Sequence, residues 1–195
     1  LALAGVGKLM ITDHDEVSPS NLNRQFLHWE SDLDRTKWSS AEEKLNRLNS
    51  ELTVEIIEGK LSSSNIGDLP EVDAIVGSVD NFETRYLLNE CAVNREVPYI
   101  HGAVEGFRAQ LTTVIPGETP CLECFFPDKP PERAGIPIIG TTAGLAGTIM
   151  ANETIKYLTD VGQLITGRLL VIDLSTNDFD SIRIQKNPTC PTCGR

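Results

Sequence analysis

Four cysteines stand in two identical spacings, Cys121-Leu-Glu-Cys124 and Cys190-Pro-Thr-Cys193. A Cys-x-x-Cys turn lets two thiolates face one ion, and zinc favours four such ligands in a tetrahedron. Two pairs supply all four ligands and leave no position for water. The site they predict is therefore a structural zinc centre that ties the region of residue 121 to the region of residue 190. A dithiol redox role is not expected, because neither pair is expected to open a helix after a strand. The fifth cysteine, Cys91, falls within a helical pattern and reads as core.

A second group of residues suits a nucleotide. Asp13 closes a short apolar stretch, and an acid at such a strand end bonds ribose hydroxyls in Rossmann-like sheets. The run Ser20-Asn21-Leu22-Asn23-Arg24-Gln25 gathers amide, hydroxyl and guanidinium donors. Arg24 is suited to a bidentate grip on phosphate, and Lys37 to a second phosphate. Asp80-Asn81 follows the apolar run 72–78 directly, where ligands bind in open α/β sheets. An Asp there suits magnesium held against phosphate oxygens. Each of these residues also has an ordinary reading. Asn21 suits a turn, Arg24 and Lys37 suit solvated surface, and Asp80-Asn81 suits a helix N-cap. Arg85, one turn on, is placed to pair with Asp80 or to face solvent.

The elements that position these residues follow from hydrophobic period and punctuation. Residues 1–7 read as the last turns of a helix ending on glycine, 8–12 as a strand, and 15–27 as a polar loop. A helix is expected over 38–49, with Ala41, Leu45 and Leu48 on one face. Strands are expected over 52–57 and 72–78. A helix over 81–95 turns Phe82, Tyr86, Leu87 and Ala92 inward. Strands over 98–103 and 110–115 precede a proline-rich loop over 116–137. A helix over 143–158 carries Ala143, Gly147 and Ala151 at four-residue spacing, which reads as core packing in preference to a subunit contact. A strand pair follows over 167–174 and 180–185. The fold class is α/β, a Rossmann-like, mostly parallel sheet with a C-terminal antiparallel part.

Composition bounds the rest. Of 195 residues, 40% are hydrophobic and 23% charged, enough for a core and too apolar for general disorder. The net charge of -11 argues against nonspecific nucleic-acid binding, which needs a basic footprint. No apolar run reaches the roughly 20 residues of a membrane span, and the start lacks the marks of a signal peptide. The expected location is the cytoplasm.

Taken together, Asp13-His-Asp-Glu-Val-Ser-Pro-Ser-Asn-Leu-Asn-Arg-Gln25, Lys37, Ser78-Val-Asp-Asn-Phe-Glu-Thr-Arg85 and the two cysteine pairs resemble the MoeB/ThiF/HesA family, relatives of the ubiquitin-activating enzymes. The resemblance runs along essentially the whole chain. It implies an adenylyltransferase that uses ATP and magnesium to adenylate the C-terminal glycine of a ubiquitin-like sulfur-carrier protein, releasing pyrophosphate. By that resemblance Asp13 binds ribose, Asn21, Arg24 and Lys37 lie at the phosphates, and Ser20 belongs to the same nucleotide site. Asp80 holds magnesium, with Asn81 beside it; Arg24, Lys37 and Asp80 are the residues tied to catalysis. A homodimer is implied as well.

Two departures stand out. The family's glycine-rich GxGGxG turn and an arginine from near its N-terminus are not in this sequence, so the chain reads as one adenylation domain over 1–195 that is N-terminally incomplete. The crossover loop, expected over 116–140, lacks the cysteine that many relatives use for thioester or persulfide chemistry. The expected chemistry therefore stops at the acyl-adenylate. The zinc-binding tail is expected over 187–195. Two rivals remain: a noncatalytic scaffold that keeps the carrier-docking surface, and a nicotinamide-dependent dehydrogenase using Asp13, which gives Asp80 and the cysteine pairs no role.

Overall fold

The computed structural model describes residues 1–131 and 135–194. Residues 132–134 of the expected crossover loop and residue 195 of the expected tail lie outside the described residues. The chain forms two compact units, Leu1–Leu61 and Ser62–Arg195.

In the first unit, a single 3-10 turn at Ala2–Ala4 ends on Gly5, whose φ of 89° is the left-handed conformation that glycine adopts freely. The helix end expected over 1–7 is thus one tight turn. Strand β1 (Lys8–Ile11) pairs in parallel with β2 (Thr53–Ile56), from Lys8 opposite Thr53 to Ile11 opposite Ile56. A parallel pair needs a crossover, and helix α1 (Lys37–Leu48) supplies it. Thr36 caps α1 by accepting the Ser39 N–H on its side chain. Ala41 and Leu45 pack with Ala2 and Leu52, as their spacing predicts. Leu48 does not join them: it is 51% exposed, because the helix stops there and its last residue overshoots the apolar cluster.

Beneath α1 lies a charged network. The buried Asp32 carboxylate receives the Lys44 ammonium, the Trp29 backbone N–H at 2.7 Å and Arg35 at 3.2 Å. Lys44 also lies 4.5 Å from the centre of the Trp29 ring and donates to Ser40 at 2.8 Å. Ser40 in turn bonds His28 Nδ1 at 2.9 Å.

The second unit is built on a five-stranded sheet in chain order: β3 (Ile75–Gly77), β4 (Tyr99–Glu105), β5 (Arg108–Val114), β6 (Arg168–Asp173) and β7 (Asp178–Arg183). β3 and β4 are parallel and joined by helix α2 (Phe82–Arg95); the remaining neighbours are antiparallel. The division between parallel and antiparallel parts therefore falls at β4. A one-turn helix, α3 (Leu122–Phe125), interrupts the expected loop after β5.

The last helix, α4 (Gly140–Thr159), packs on β4 and β5. Ala146 and Met150 join Ile100, Ala109, Leu111 and Ile172 in the core. Gly102 leaves room for Met150 there, since a Cβ would meet its sulfur and force that side chain to shift. The small-residue row Ala143, Gly147 and Ala151 is not the packed one: Gly147 is exposed and its neighbours half-buried. The row Thr142, Ala146, Met150 and Thr154 is buried instead. Both rows have four-residue spacing, so spacing alone does not choose between them. Glu153 anchors α4 from within, accepting Thr113 Oγ1 at 2.7 Å and the Ile165 N–H at 2.6 Å. Among the described residues, no helix is long and apolar enough to cross a membrane.

Candidate metal centre and nucleotide-site residues

The chain leaves β5 through a turn at Ile115–Thr119, where Thr119 closes back on the Ile115 N–H and carbonyl. Cys121 then caps α3, and Cys124 lies in it. The first cysteine pair thus does open a helix, contrary to the sequence reading. That helix is a single turn, and its thiols face the other pair. Cys121 Sγ is 3.6 Å from Cys190 Sγ, and Cys124 Sγ is 3.5 Å from Cys193 Sγ. All four sulfurs lie within 4.8 Å of one another. A disulfide would need about 2 Å. A tetrahedral zinc site with Zn–S of about 2.3 Å puts its sulfurs about 3.8 Å apart, so the four residues fit zinc.

The protein around the sulfurs is shaped for them. The Asn187 N–H donates to Cys124 Sγ at 3.4 Å. Thr192, between the second pair, donates to the Glu123 carboxylate between the first pair. Gly194 returns its N–H to the Cys190 carbonyl at 2.8 Å, and a Cβ there would fall on the Cys190 backbone. Burial pushes the Cys121 thiol far up and the Cys124 thiol up to about 11. Burial acts on Cys190 too, but the backbone N–H groups of Cys193 and Thr192, with the neighbouring thiols, outweigh it and leave it below its ordinary value. A cluster of four convergent sulfurs, two of them with thiols pushed up by burial, is one that a divalent cation would deprotonate and hold.

The expected nucleotide residues are each placed by a defined local structure. In the first unit, Asp13 follows β1 and accepts the Asp15 N–H at 2.9 Å. Lys37, buried at the start of α1, reaches back to both acids, 3.4 Å from Asp13 and 2.7 Å from Asp15. The hydrogen bond from Lys37, partly offset by burial, holds the Asp15 carboxyl below the usual carboxylate range. The structure thus brings Asp13 and Lys37 together around Asp15, a residue the sequence reading passed over. Asp13, His14 and Asp15 also bring potential ligand atoms within 4.8 Å, and the Lys37 ammonium offsets part of the charge of the two carboxylates.

Ser20 and Asn21 lie in a 3-10 turn at Pro19–Asn21. Asn21 is buried, and its Oδ1 accepts the Ser18 N–H at 3.0 Å, so it fills the turn role. Ser20 pairs its hydroxyl with Ser18 at 2.9 Å. Arg24 folds back on the Ser20 carbonyl at 2.7 Å and on Asn23 Oδ1 at 3.0 Å.

In the second unit, Asp80 is exposed just past β3, and Asn81 caps α2 through the Thr84 N–H at 2.8 Å. Asn81 Nδ2 lies 3.4 Å from the Asp80 carboxylate. Arg85 is buried rather than solvated. Its Nε and Nη2 both donate to the Val79 carbonyl, at 3.0 and 2.8 Å, instead of pairing with Asp80. The Phe82 ring covers its guanidinium at 5.2 Å. The clamp fixes the backbone immediately before Asp80.

Comparison with known proteins extends these observations. The ThiF family pattern matches residues 1–192. The SAMP-activating enzyme E1 of Haloferax volcanii is 38% identical over 200 aligned residues, covering all of this chain and 74% of that protein. The sulfur carrier protein adenylyltransferase of Thermus thermophilus is 35% identical over 206, covering all of this chain and 76% of that protein. Among solved structures, E. coli MccB with MccA-N7isoASN superposes with a TM-score of 0.90 at 23% identity. The match covers 99% of this chain and 62% of MccB. E. coli MccB with ATP gives 0.88 at 24% identity. At that identity the structural matches speak for the fold.

Proposed function

Because the chain belongs to the ThiF family, we propose that it is the adenylation domain of an enzyme that activates the C-terminal glycine of a ubiquitin-like sulfur-carrier protein with ATP. The observation that carries this reading is the 35% identity, along the whole chain, with a protein named a sulfur carrier protein adenylyltransferase. In the reaction, a carboxylate oxygen of the carrier attacks the α-phosphorus of ATP. The bond to the bridging oxygen breaks, leaving an acyl-adenylate and pyrophosphate. Such a step needs alignment and charge neutralisation more than a protein nucleophile.

The residues on hand suit those needs. In the first unit, Asp13 would accept ribose hydroxyls, while Ser20, Asn21, Arg24 and Lys37 would meet phosphate. The ammonium of Lys37 is already positioned by Asp13 and Asp15, so phosphate would compete with two carboxylates for it. In the second unit, Asp80 is an exposed carboxylate on a backbone fixed by Arg85, which suits a magnesium ligand. Magnesium, when bound, neutralises charge on the departing pyrophosphate. Asn81 holds α2 in place beside it. The four cysteines would hold zinc as a structural ion. A second copy of the chain is the expected further partner, and the outward row Ala143, Gly147 and Ala151 permits close backbone approach.

Carrier-dependent exchange of labelled pyrophosphate into ATP tests the reading. The protein is expected to catalyse exchange, and Asp80→Ala to lower it by at least 100-fold with the fold retained by circular dichroism. Exchange that persists in Asp80→Ala removes the magnesium role. No exchange by the wild type with any glycine-ended carrier favours the scaffold reading.

A further inference from the structure

Asn89 lies mid-way along α2 with no exposed surface. Its Oδ1 accepts the backbone N–H of Leu122 at 2.8 Å. Since only the carbonyl end can accept that proton, the orientation of the carboxamide is fixed by chemistry. Nδ2 therefore points the other way, buried and without a hydrogen-bond partner among the described residues. Leu122 follows Cys121 directly, so the buried carboxamide sits against the turn that carries the first thiol of the pair. A neutral thiol is a weak acceptor, whereas a metal-bound thiolate is a strong one. The buried N–H group beside this turn therefore wants an acceptor of the kind that a metal-bound thiolate supplies.

We propose that Asn89 is a positioning residue of the metal centre: its Nδ2 donates to the metal-bound Cys121 thiolate while its Oδ1 holds the Cys-x-x-Cys turn. The inference rests on the four cysteines binding a metal, and it goes beyond that reading by naming what orients the first pair. It also joins the metal to α2, the helix that Asn81 caps beside Asp80.

The variant that separates the two halves of the carboxamide is Asn89→Asp. It keeps an acceptor for the Leu122 N–H and sets a carboxylate oxygen against the thiolate in place of the donor. Zinc affinity, measured by competition with a chromogenic chelator, is expected to fall 10- to 100-fold, the usual cost of losing an outer-shell partner. The thiolate-to-cobalt charge-transfer band of the cobalt-loaded variant is expected to move to lower energy, which a purely structural role would not cause. Affinity within twofold of wild type and an unmoved band overturn the proposal. The wild type provides a test that does not depend on the variant folding. With cadmium-113 bound and nitrogen-15 labelling, scalar coupling from the metal to the Asn89 side-chain amide protons is expected through the sulfur. A fully loaded wild type without that coupling overturns the proposal. A wild type that shows no thiolate–metal bands at all overturns the metal centre itself, a separate failure.

Discussion

The two units bury ionisable groups by opposite means. In the first, Asp32 is buried as an ion: burial alone would raise its carboxyl, but Lys44 and the Trp29 N–H outweigh burial and hold it below the usual range. In the second, His101 on β4 is buried as a neutral ring. Among the described residues neither of its nitrogens has a hydrogen-bond partner, and burial, with the Arg85 charge nearby, pushes its pKa down to about 3. Tyr99 and Phe126 pack around it, at ring-centre distances of 6.0 and 6.4 Å. The first solution depends on a partner and fails when the partner goes. The second depends on pH and fails when the ring charges. The cysteine cluster combines both: burial pushes the Cys121 and Cys124 thiols up, and a bound cation would pair with the thiolates.

The largest test of this contrast removes the cation. Chelation, or Cys190→Ser, is expected to lower zinc below one per chain and to destabilise residues 62–194 by several kcal/mol, since structural zinc binding feeds directly into folding. Unchanged zinc stoichiometry in Cys190→Ser would dissolve the analogy. Next in size is Lys44→Met, which strands the Asp32 carboxylate. Loss of one partner of a buried pair costs about 3–5 kcal/mol. Urea unfolding followed by Trp fluorescence reads it, and a loss under 1 kcal/mol means Asp32 is held by the Trp29 N–H and Arg35 without Lys44.

The pH test sharpens the other side. The folded His101 pKa lies below the unfolded value near 6.5, so the unfolded chain binds more protons between them. Stability is therefore full above about pH 6.5 and declines as pH falls toward the folded value, at about 1.4 kcal/mol per pH unit. Roughly 3 kcal/mol is lost by pH 4. His28 is also lowered, by burial first and by Lys44, and acts in the same direction. The diagnostic is thus the difference between wild type and His101→Phe, which should lack most of the slope. Equal slopes would assign the acid sensitivity elsewhere. The smallest expected effect is Asn81→Ala, about 1 kcal/mol for a lost N-cap. A neutral outcome in thermal unfolding would mean the Asn81–Thr84 bond adds nothing to α2.

What the sequence revealed and what it hid divide along physical lines. The cysteine centre was legible because a Cys-x-x-Cys turn is a local object whose chemistry is set by its own spacing. Cys91 and Ala92 were legible as core because periodicity places them on the buried face of α2. Asp15 was not, since an exposed acid beside another acid has no pattern until Lys37 reaches it across 22 residues. Arg85 reads from its spacing as a partner of Asp80 or a solvent-facing residue, and it is buried on the Val79 carbonyl, because an acceptor six residues earlier leaves no trace in side-chain types. Asn89 did leave a signal: a polar residue on the inward stripe of α2 that follows Tyr86 by three. Such an interruption of an apolar face asks for a partner, and the partner lay beside a cysteine.

The sulfur pairs are 69 residues apart, and the stretch between them contains α4, β6 and β7. Either pair can catch an ion as soon as its own turn exists, but with two ligands of four. The grip becomes complete only once the β5–β6–β7 ladder has brought the ends together. Closing a loop of that length in a disordered chain costs about 4 kcal/mol in entropy by the cross-link estimate. The centre should therefore mature late. An ion taken up early would remain exchangeable until then, and would become kinetically trapped only when the antiparallel part of the sheet has zipped.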